Sequence, residues 1–158
     1  AITMSREWIP VLNLVQYRAS FEATLGGEIL VIDLERSEHE GIDGTWVEVP
    51  APFELSMPAS FSRSDYLVVE WTAAPATRSG LRLNGSCMDQ SFEMDGNPGR
   101  LELAPPRLSV PEGVDSQARC ELDATLTVAN ERGAAAGFGR GGRIIAEQVR
   151  ASVAESAP

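Results

Sequence analysis

The feature that most constrains the fold is a strict alternation of side chains between residues 118 and 128. Apolar side chains occupy every second position there: Ala118, Cys120, Leu122, Ala124, Leu126 and Val128. Charged and hydroxyl-bearing side chains fill the positions between them. Because successive side chains of a strand point to opposite faces, this period of two predicts a strand with one buried and one solvated face. Such a strand is typical of a sheet that packs on one side only.

Two glycine-containing turns indicate hairpins elsewhere in the chain. Gly26-Gly27 separates an alternating segment at 21–25 from an apolar segment at 28–34. Asn84-Gly85 follows Leu81-Arg82-Leu83, and Asn-Gly favours the positive φ angles that a type I′ turn requires. We therefore predict one hairpin at each of these turns.

Two further segments have distinct strand characters. Residues 66–71 are apolar on both faces, which predicts a central strand. In residues 47–57, Pro50 and Pro52 cannot donate to a ladder, which predicts an edge strand. Together these signals predict an all-β fold, an antiparallel β-sandwich of Greek-key, immunoglobulin-like or jelly-roll type with roughly 7–9 strands.

The C-terminal part of the chain carries the helical signal. Five residues between 143 and 152 fall within a helical repeat, which predicts a short amphipathic helix: Ile144, Ile145, Gln148, Val149 and Ser152. Residues 133–142 are rich in Gly and Ala and offer little side-chain volume for a core. We therefore divide the chain into a β-sandwich domain at 1–132 and a linker with a C-terminal docking helix at 133–158.

Charge and composition exclude several classes of function. The formal net charge of −10 disfavours phosphate backbones and anionic lipid surfaces, so we expect no nucleic-acid partner. No apolar stretch is long enough to span a bilayer, so we expect no direct membrane insertion. All 13 basic residues are Arg, which indicates a GC-rich bacterial genome and excludes lysine-dependent chemistry.

The two cysteines, Cys87 and Cys120, predict one disulfide in an exported protein, either periplasmic or extracellular. Such a bond would stabilise the fold by about 3–4 kcal/mol in the chain-entropy model. An Asn84-Gly85 turn, however, places Cys87 opposite Arg82, away from the core-facing side of the hairpin. The disulfide therefore requires either that this side faces the core or that the turn has another register.

Residues suited to catalysis are scarce. His39, the single histidine, lies between Glu38 and Glu40 in a polar loop, and neighbouring side chains in an extended chain point apart. The carboxylate pairs Glu121/Asp123 and Glu93/Asp95 resemble those that glycosidases use, but acidic β-proteins commonly contain such pairs. We therefore expect no enzyme, and an enzyme using carboxylates ranks third among the functions.

Cofactor and metal motifs are also incomplete. Residues 137–142 fit G-x-G-x-x-G, but too few residues follow to complete a parallel βαβ unit, so we interpret them as a glycine-rich hinge. Two acidic loops offer oxygen ligands for calcium, although neither fits an EF-hand: Asp89, Glu93, Asp95 and Asn97 around Gly96, and Glu35, Glu38, Glu40 and Asp43. We predict no cofactor and no resident metal.

These observations favour a non-catalytic structural or interaction subunit of an extracytoplasmic assembly, with protein partners that include further copies of the chain. Trp46 is expected to be partly exposed, since it lies opposite the apolar face that Val47 begins. The candidate interface residues are Trp8, Trp46, Ile144, Ile145 and Val149. The alternative is a carbohydrate- or calcium-dependent ligand-binding module that stacks a glycan on Trp46.

Overall fold

The computed structural model describes residues 4–9, 14–19, 26–34, 41–138 and 142–158. Within these ranges the chain forms strands and two short 3-10 helices, Pro105–Leu108 and Ala136–Phe138, and contains no α-helix. The described strands are β1 (Ser5–Ile9), β2 (Leu14–Arg18), β3 (Ile29–Leu34), β4 (Ile42–Glu48), β5 (Leu55–Ser56), β6 (Ser60–Ser62), β7 (Leu67–Trp71), β8 (Arg78–Gly85), β9 (Met88–Asp95), β10 (Arg100–Leu103), β11 (Cys120–Gly133) and β12 (Arg143–Ala157).

The largest sheet has the order β6-β12-β11-β8-β9 and is curled like half a barrel. Neighbouring strands within this sheet run antiparallel, except β6 and β12, which run parallel to each other. Smaller sheets have the orders β10-β7-β5, β3-β4 and β1-β2. The all-β prediction is therefore confirmed, but the arrangement is a mixed curled sheet with small sheets and is not clearly an antiparallel sandwich.

Strand β11 lies at the centre of this sheet and forms one wall of the core. Its inward residues Cys120, Leu122, Ala124, Leu126 and Val128 are buried, as the alternation predicts. Ala118 precedes the strand and packs against the core while only partly buried. The opposite wall comes from the three-stranded sheet, where the central strand β7 buries alternate side chains of Leu67, Val69 and Trp71. The central position predicted for 66–71 is thus confirmed, but burial on both faces is not: Val68 is half-buried, and Tyr66 and Glu70 are exposed.

The prediction of a C-terminal helix is wrong. Residues Arg143–Ala157 form β12, which pairs with β11 from Gly133↔Arg143 to Cys120↔Ser156 without a register shift. The buried side chains of β12 include Ile144, Ala146, Gln148, Ala154 and Ser156, a mixture of apolar, small and polar groups. The long antiparallel ladder with β11 therefore decides the conformation, and the segment belongs to the large sheet.

A second, smaller core joins β12 to the sheet of β3 and β4. Val47 and Val49 pack there against Ile144 and Ala146, with Leu30 and Ile32 at its margin. Gln148 Nε2 donates to Pro50 O at 3.0 Å and holds the chain that leaves β4.

The predicted edge strand at 47–57 is only partly formed. Val47 and Glu48 end β4 and pair with β3, residues 49–54 are not in a strand, and Leu55–Ser56 pairs with β7. Pro50 and Pro52 have no N–H to contribute to a ladder, which accounts for the interruption. Phe53, which lies in the strand-free residues 49–54, is nevertheless buried in the main core.

The hairpin of β8 and β9 turns two residues later than predicted. Gly85 pairs with Met88, so Ser86 and Cys87 form the turn instead of Asn84-Gly85. A Cβ on Gly85 would lie 2.4 Å from Glu121 O, so this position accepts only glycine. The later turn brings Cys87 into the core, where it forms the predicted disulfide with Cys120 across a Cα–Cα distance of 5.8 Å.

Candidate functional site

Exposed apolar side chains gather on the outer surface of the β3–β4 sheet. Ile29 and Val31 are 59% and 60% exposed, and Trp46 is 38% exposed, as predicted for this Trp. Val31 lies directly opposite Trp46, and Ile29 lies opposite Glu48. We call Ile29, Val31 and Trp46 the β3–β4 outer face.

A groove of about 440 Å³ adjoins this face beside Trp46. It is lined by Trp46, Val47, Glu48, Pro75, Ala76, Thr77, Asn130, Glu131 and Arg132. The guanidinium of Arg132 lies 3.6 Å from the centroid of the Trp46 ring, which is a cation–π contact. One face of the indole is therefore already covered.

The polar groups of the groove bind one another. Asn130 Nδ2 donates to Glu48 O at 3.0 Å, and Asn130 Oδ1 accepts from the Thr77 N–H at 3.1 Å. Thr77 Oγ1 in turn accepts from the Glu131 N–H at 3.1 Å. These contacts join the loop before β8 to β4 and β11, so the groove is a preformed surface.

Charges next to the groove are paired. Glu131 Oε1 lies 2.9 Å from Arg143 Nη1, and Glu131 Oε2 lies 3.7 Å from Arg78 Nε. Arg78 also reaches Glu147 at 3.5 Å. The side chains involved are mostly exposed, so each pair contributes little to stability.

A second exposed apolar surface lies along β12. Ile145, Val149 and Val153 are exposed and share the outer face of the strand with Ala151. We call these four residues the β12 stripe. Their partners on β11 are all polar, namely Glu131, Thr127, Thr125 and Asp123. The exposed Glu147 lies on the same face between Ile145 and Val149, so the apolar stripe runs along one strand only and is interrupted.

The predicted interface residues therefore separate into distinct groups. Trp46 lies on the β3–β4 outer face, and Ile145 and Val149 belong to the β12 stripe. Ile144 is buried in the small core and is not available at the surface, because β12 is a strand and buries its even-numbered positions. Trp8 lies in β1 opposite Val15, and its side chain is outside the described residues.

The two carboxylate pairs lie on the exposed faces of separate strands. Glu121 and Asp123 are exposed on the outer face of β11, and Glu93 and Asp95 are exposed on β9. His39 and its flanking acids lie outside the described residues, as do residues 139–141 of the glycine motif. A strand, β12, follows that motif, so it lacks the helix N-terminus that would bind a pyrophosphate.

Of the two calcium candidates, the group around Gly96 lies within the described residues. The loop at 35–40 lies outside the described residues, whereas the Asn97 side chain is bonded to Trp71 Nε1 and to Ala74 O. Across the described part of the chain, no three His, Cys, Asp or Glu side chains are grouped to hold a metal ion.

Sequence reasoning missed a buried arginine beside the disulfide. Arg63, only 8% exposed, donates to Ser156 Oγ at 2.8 Å, Ser116 O at 2.9 Å and Ala118 O at 2.7 Å. Its Nη1 also lies 3.6 Å from Cys87 Sγ. The partners are far from Arg63 in sequence, so the polar segment around it carried no local signal of this role.

No helix among the described residues has the length and apolar character needed to cross a bilayer. Comparison of the chain with family models, curated proteins and solved structures found no match.

Proposed function

We propose that the chain is a non-catalytic interaction subunit of an extracytoplasmic protein assembly, and that the β3–β4 outer face docks an apolar surface of a protein partner. The observation that carries this proposal is the exposure of Ile29 and Val31 beside Trp46. Contiguous exposed apolar side chains mark interaction surfaces. Because 59% of Ile29 and 60% of Val31 is still exposed, burying the remainder contributes about 1–2 kcal/mol for each side chain.

The disulfide supports an extracytoplasmic location. Cys87 and Cys120 are bonded inside the main core, and structural disulfides persist in oxidising compartments. The acidic surface, with a formal charge of −10, supports a protein partner over nucleic acid.

The groove geometry favours a protein over a glycan as the ligand. A sugar stacks on an open aromatic face, whereas Arg132 covers one face of Trp46. The amide of Asn130 is also bonded through both its oxygen and its nitrogen. Ile29 and Val31 offer no polar group to a sugar but suit an apolar protein surface.

The test compares the native complexes of two variants with that of the wild type. Val31→Ser removes an apolar side chain from the β3–β4 outer face, and Tyr66→Ser is a matched control at an exposed position away from that face. All three proteins are purified from the cells in which the chain is naturally made. We expect the wild type and Tyr66→Ser to be recovered there in a complex well above 17.0 kDa, the mass of one chain. We expect Val31→Ser to be released from that complex and recovered without the partner protein.

Two outcomes would contradict the proposal. One is a monomer mass for the natively isolated wild type, and the other is equal release of both variants. A change in Trp fluorescence on titration with glycans, without any complex, would instead favour the carbohydrate-binding alternative.

A further inference from the structure

Arg132 carries a charge without a counter-ion beside the β3–β4 outer face. The side chain is exposed, and its guanidinium lies 3.6 Å from the centroid of the Trp46 ring. Among the described residues, no acid or carbonyl accepts a hydrogen bond from this guanidinium. The contact with the indole therefore holds the group in place, while its fork of N–H donors stays free.

The acids around the groove do not neutralise Arg132. The two carboxylate oxygens of Glu131 are used elsewhere, by Arg143 at 2.9 Å and by Arg78 at 3.7 Å. Glu48 lines the same groove but forms no ion pair with Arg132 in the described part of the chain. An oriented guanidinium therefore lies next to an apolar face and lacks the carboxylate that such a group binds in a bidentate manner.

We propose that the protein partner places an Asp or Glu side chain against Arg132 and a neighbouring apolar side chain on Ile29 and Val31. This inference rests on the proposed interaction function and names the chemistry of the partner. Val31 lies directly opposite Trp46, so one cross-strand step and the 3.6 Å contact separate it from the guanidinium. A short acidic and apolar segment of the partner can therefore reach both places at once.

The groove suits a side-chain carboxylate better than a chain terminus or a phosphate. Terminal carboxylates are captured by free backbone N–H groups, and phosphates by clusters of Arg. The N–H groups of Thr77 and Glu131 are already used, since they donate at 3.1 Å to Asn130 Oδ1 and to Thr77 Oγ1. Arg132 thus offers a single fork of donors, which matches one carboxylate.

Three capped tripeptides test this charge preference on the purified chain. The probes are Leu-Glu-Leu, Leu-Gln-Leu and Leu-Lys-Leu, each acetylated and amidated so that only the central side chain differs in charge. Binding is followed by Trp fluorescence, and Trp46→Phe identifies the part of the signal that comes from Trp46. We expect the Glu peptide to bind about tenfold more tightly than the Gln peptide, and the Lys peptide more weakly than either.

Two variants of the groove separate the two free charges. Arg132→Gln should lower the affinity for the Glu peptide to that for the Gln peptide. Arg132→Lys, which keeps the charge without the fork, should fall between. Glu48→Gln is the matched control and should leave that affinity unchanged or raise it, because it removes a like charge from the groove. Both native side chains are exposed, so we expect melting temperatures within a few degrees of the wild type.

The native complex distinguishes failure of this inference from failure of the proposed function. If Arg132→Gln stays in the complex that Val31→Ser leaves, the carboxylate contact is overturned and the docking face stands. If neither variant leaves, the proposed function fails as well. On the purified chain, the inference is overturned if the Glu peptide has no advantage over the other two, which includes no binding of any peptide. It is also overturned if Arg132→Gln retains that advantage.

Discussion

Replacing Arg63 by Met should destabilise the fold strongly, although no catalytic or binding role is assigned to this residue. The guanidinium is buried and donates to three oxygens from two distant parts of the chain. Met keeps most of the apolar length but cannot donate. The hydroxyl of Ser156 would lose its donor in the interior and the carbonyl of Ala118 would lose it at a part-buried position, whereas Ser116 is exposed and its carbonyl can turn to water.

The size of the effect follows from these two groups. A buried polar group left without a partner costs about 1–3 kcal/mol, and less where water can reach it as at Ala118, so the pair gives about 2–4 kcal/mol. Removing the buried charge returns part of this cost, and we therefore expect a loss near the middle of that range. Since small domains are stable by about 5–15 kcal/mol, the loss would be large.

The assay is urea unfolding of the oxidised protein, followed by Trp fluorescence. Arg119→Met is the matched control, since Arg119 is 71% exposed and its ion pair with Glu155 lies at the surface. We expect that control to lie within about 1 kcal/mol of the wild type. Arg63→Lys, which keeps the charge with fewer donors, should fall between them. If Arg63→Met and Arg119→Met unfold at the same urea concentration, the three hydrogen bonds do not stabilise the fold as reasoned.

Three further perturbations address the large sheet. Leu122→Ala should cost about 2–5 kcal/mol because the side chain is fully buried, whereas Asp123→Ala on the solvated face should cost little; equal denaturation midpoints would contradict the strand's orientation. Gly85→Ala should lower the melting temperature by several degrees, because its Cβ would meet the Glu121 carbonyl and the Leu122 side chain. Gly133→Ala, whose Cβ meets nothing within 4 Å, should not. Thiol titration of the denatured, unreduced protein should find no free cysteine, and reduction should cost about 3–4 kcal/mol in unfolding experiments.

The central strand was predictable because its pattern is local. From Cys120 to Val128 the apolar side is unbroken, and a slip by one residue would expose all of it. The disulfide was also predictable from the count of cysteines and the expected compartment. What the pattern could not supply was the partner of each strand, and hence the curled sheet and its parallel β6–β12 pair.

The error in β12 has a physical cause. Ile144 and Ile145 are adjacent, as are Gln148 and Val149, so the segment fits a helical repeat as well as an alternation. Its buried side includes the polar Gln148, which a search for apolar faces does not count. Pairing with β11, more than ten residues away for most of its length, outweighs this weak local preference.

The turn of the β8–β9 hairpin shows a similar limit for the candidate site. Asn84-Gly85 is a strong local turn signal, yet Gly85 is needed in the strand, where the β11 backbone approaches it closely. Trp46 was correctly expected to be exposed, but Ile29 and Val31 joined it only through the β3–β4 register. Arg63 had no local pattern at all.

The disulfide also determines how the protein would respond to a protease. Cys87 and Cys120 enclose a covalent loop that leaves the large sheet through β9, crosses to β7 through β10 and returns to β11. Residues 111–113 and 115–117 of this loop are exposed turns, the kind of segment that proteases cut first. After a single cut there, the disulfide between Cys87 and Cys120 would still join the two fragments. The nicked chain would migrate as one species and keep its sheet pairings until a reductant released two fragments of unequal length.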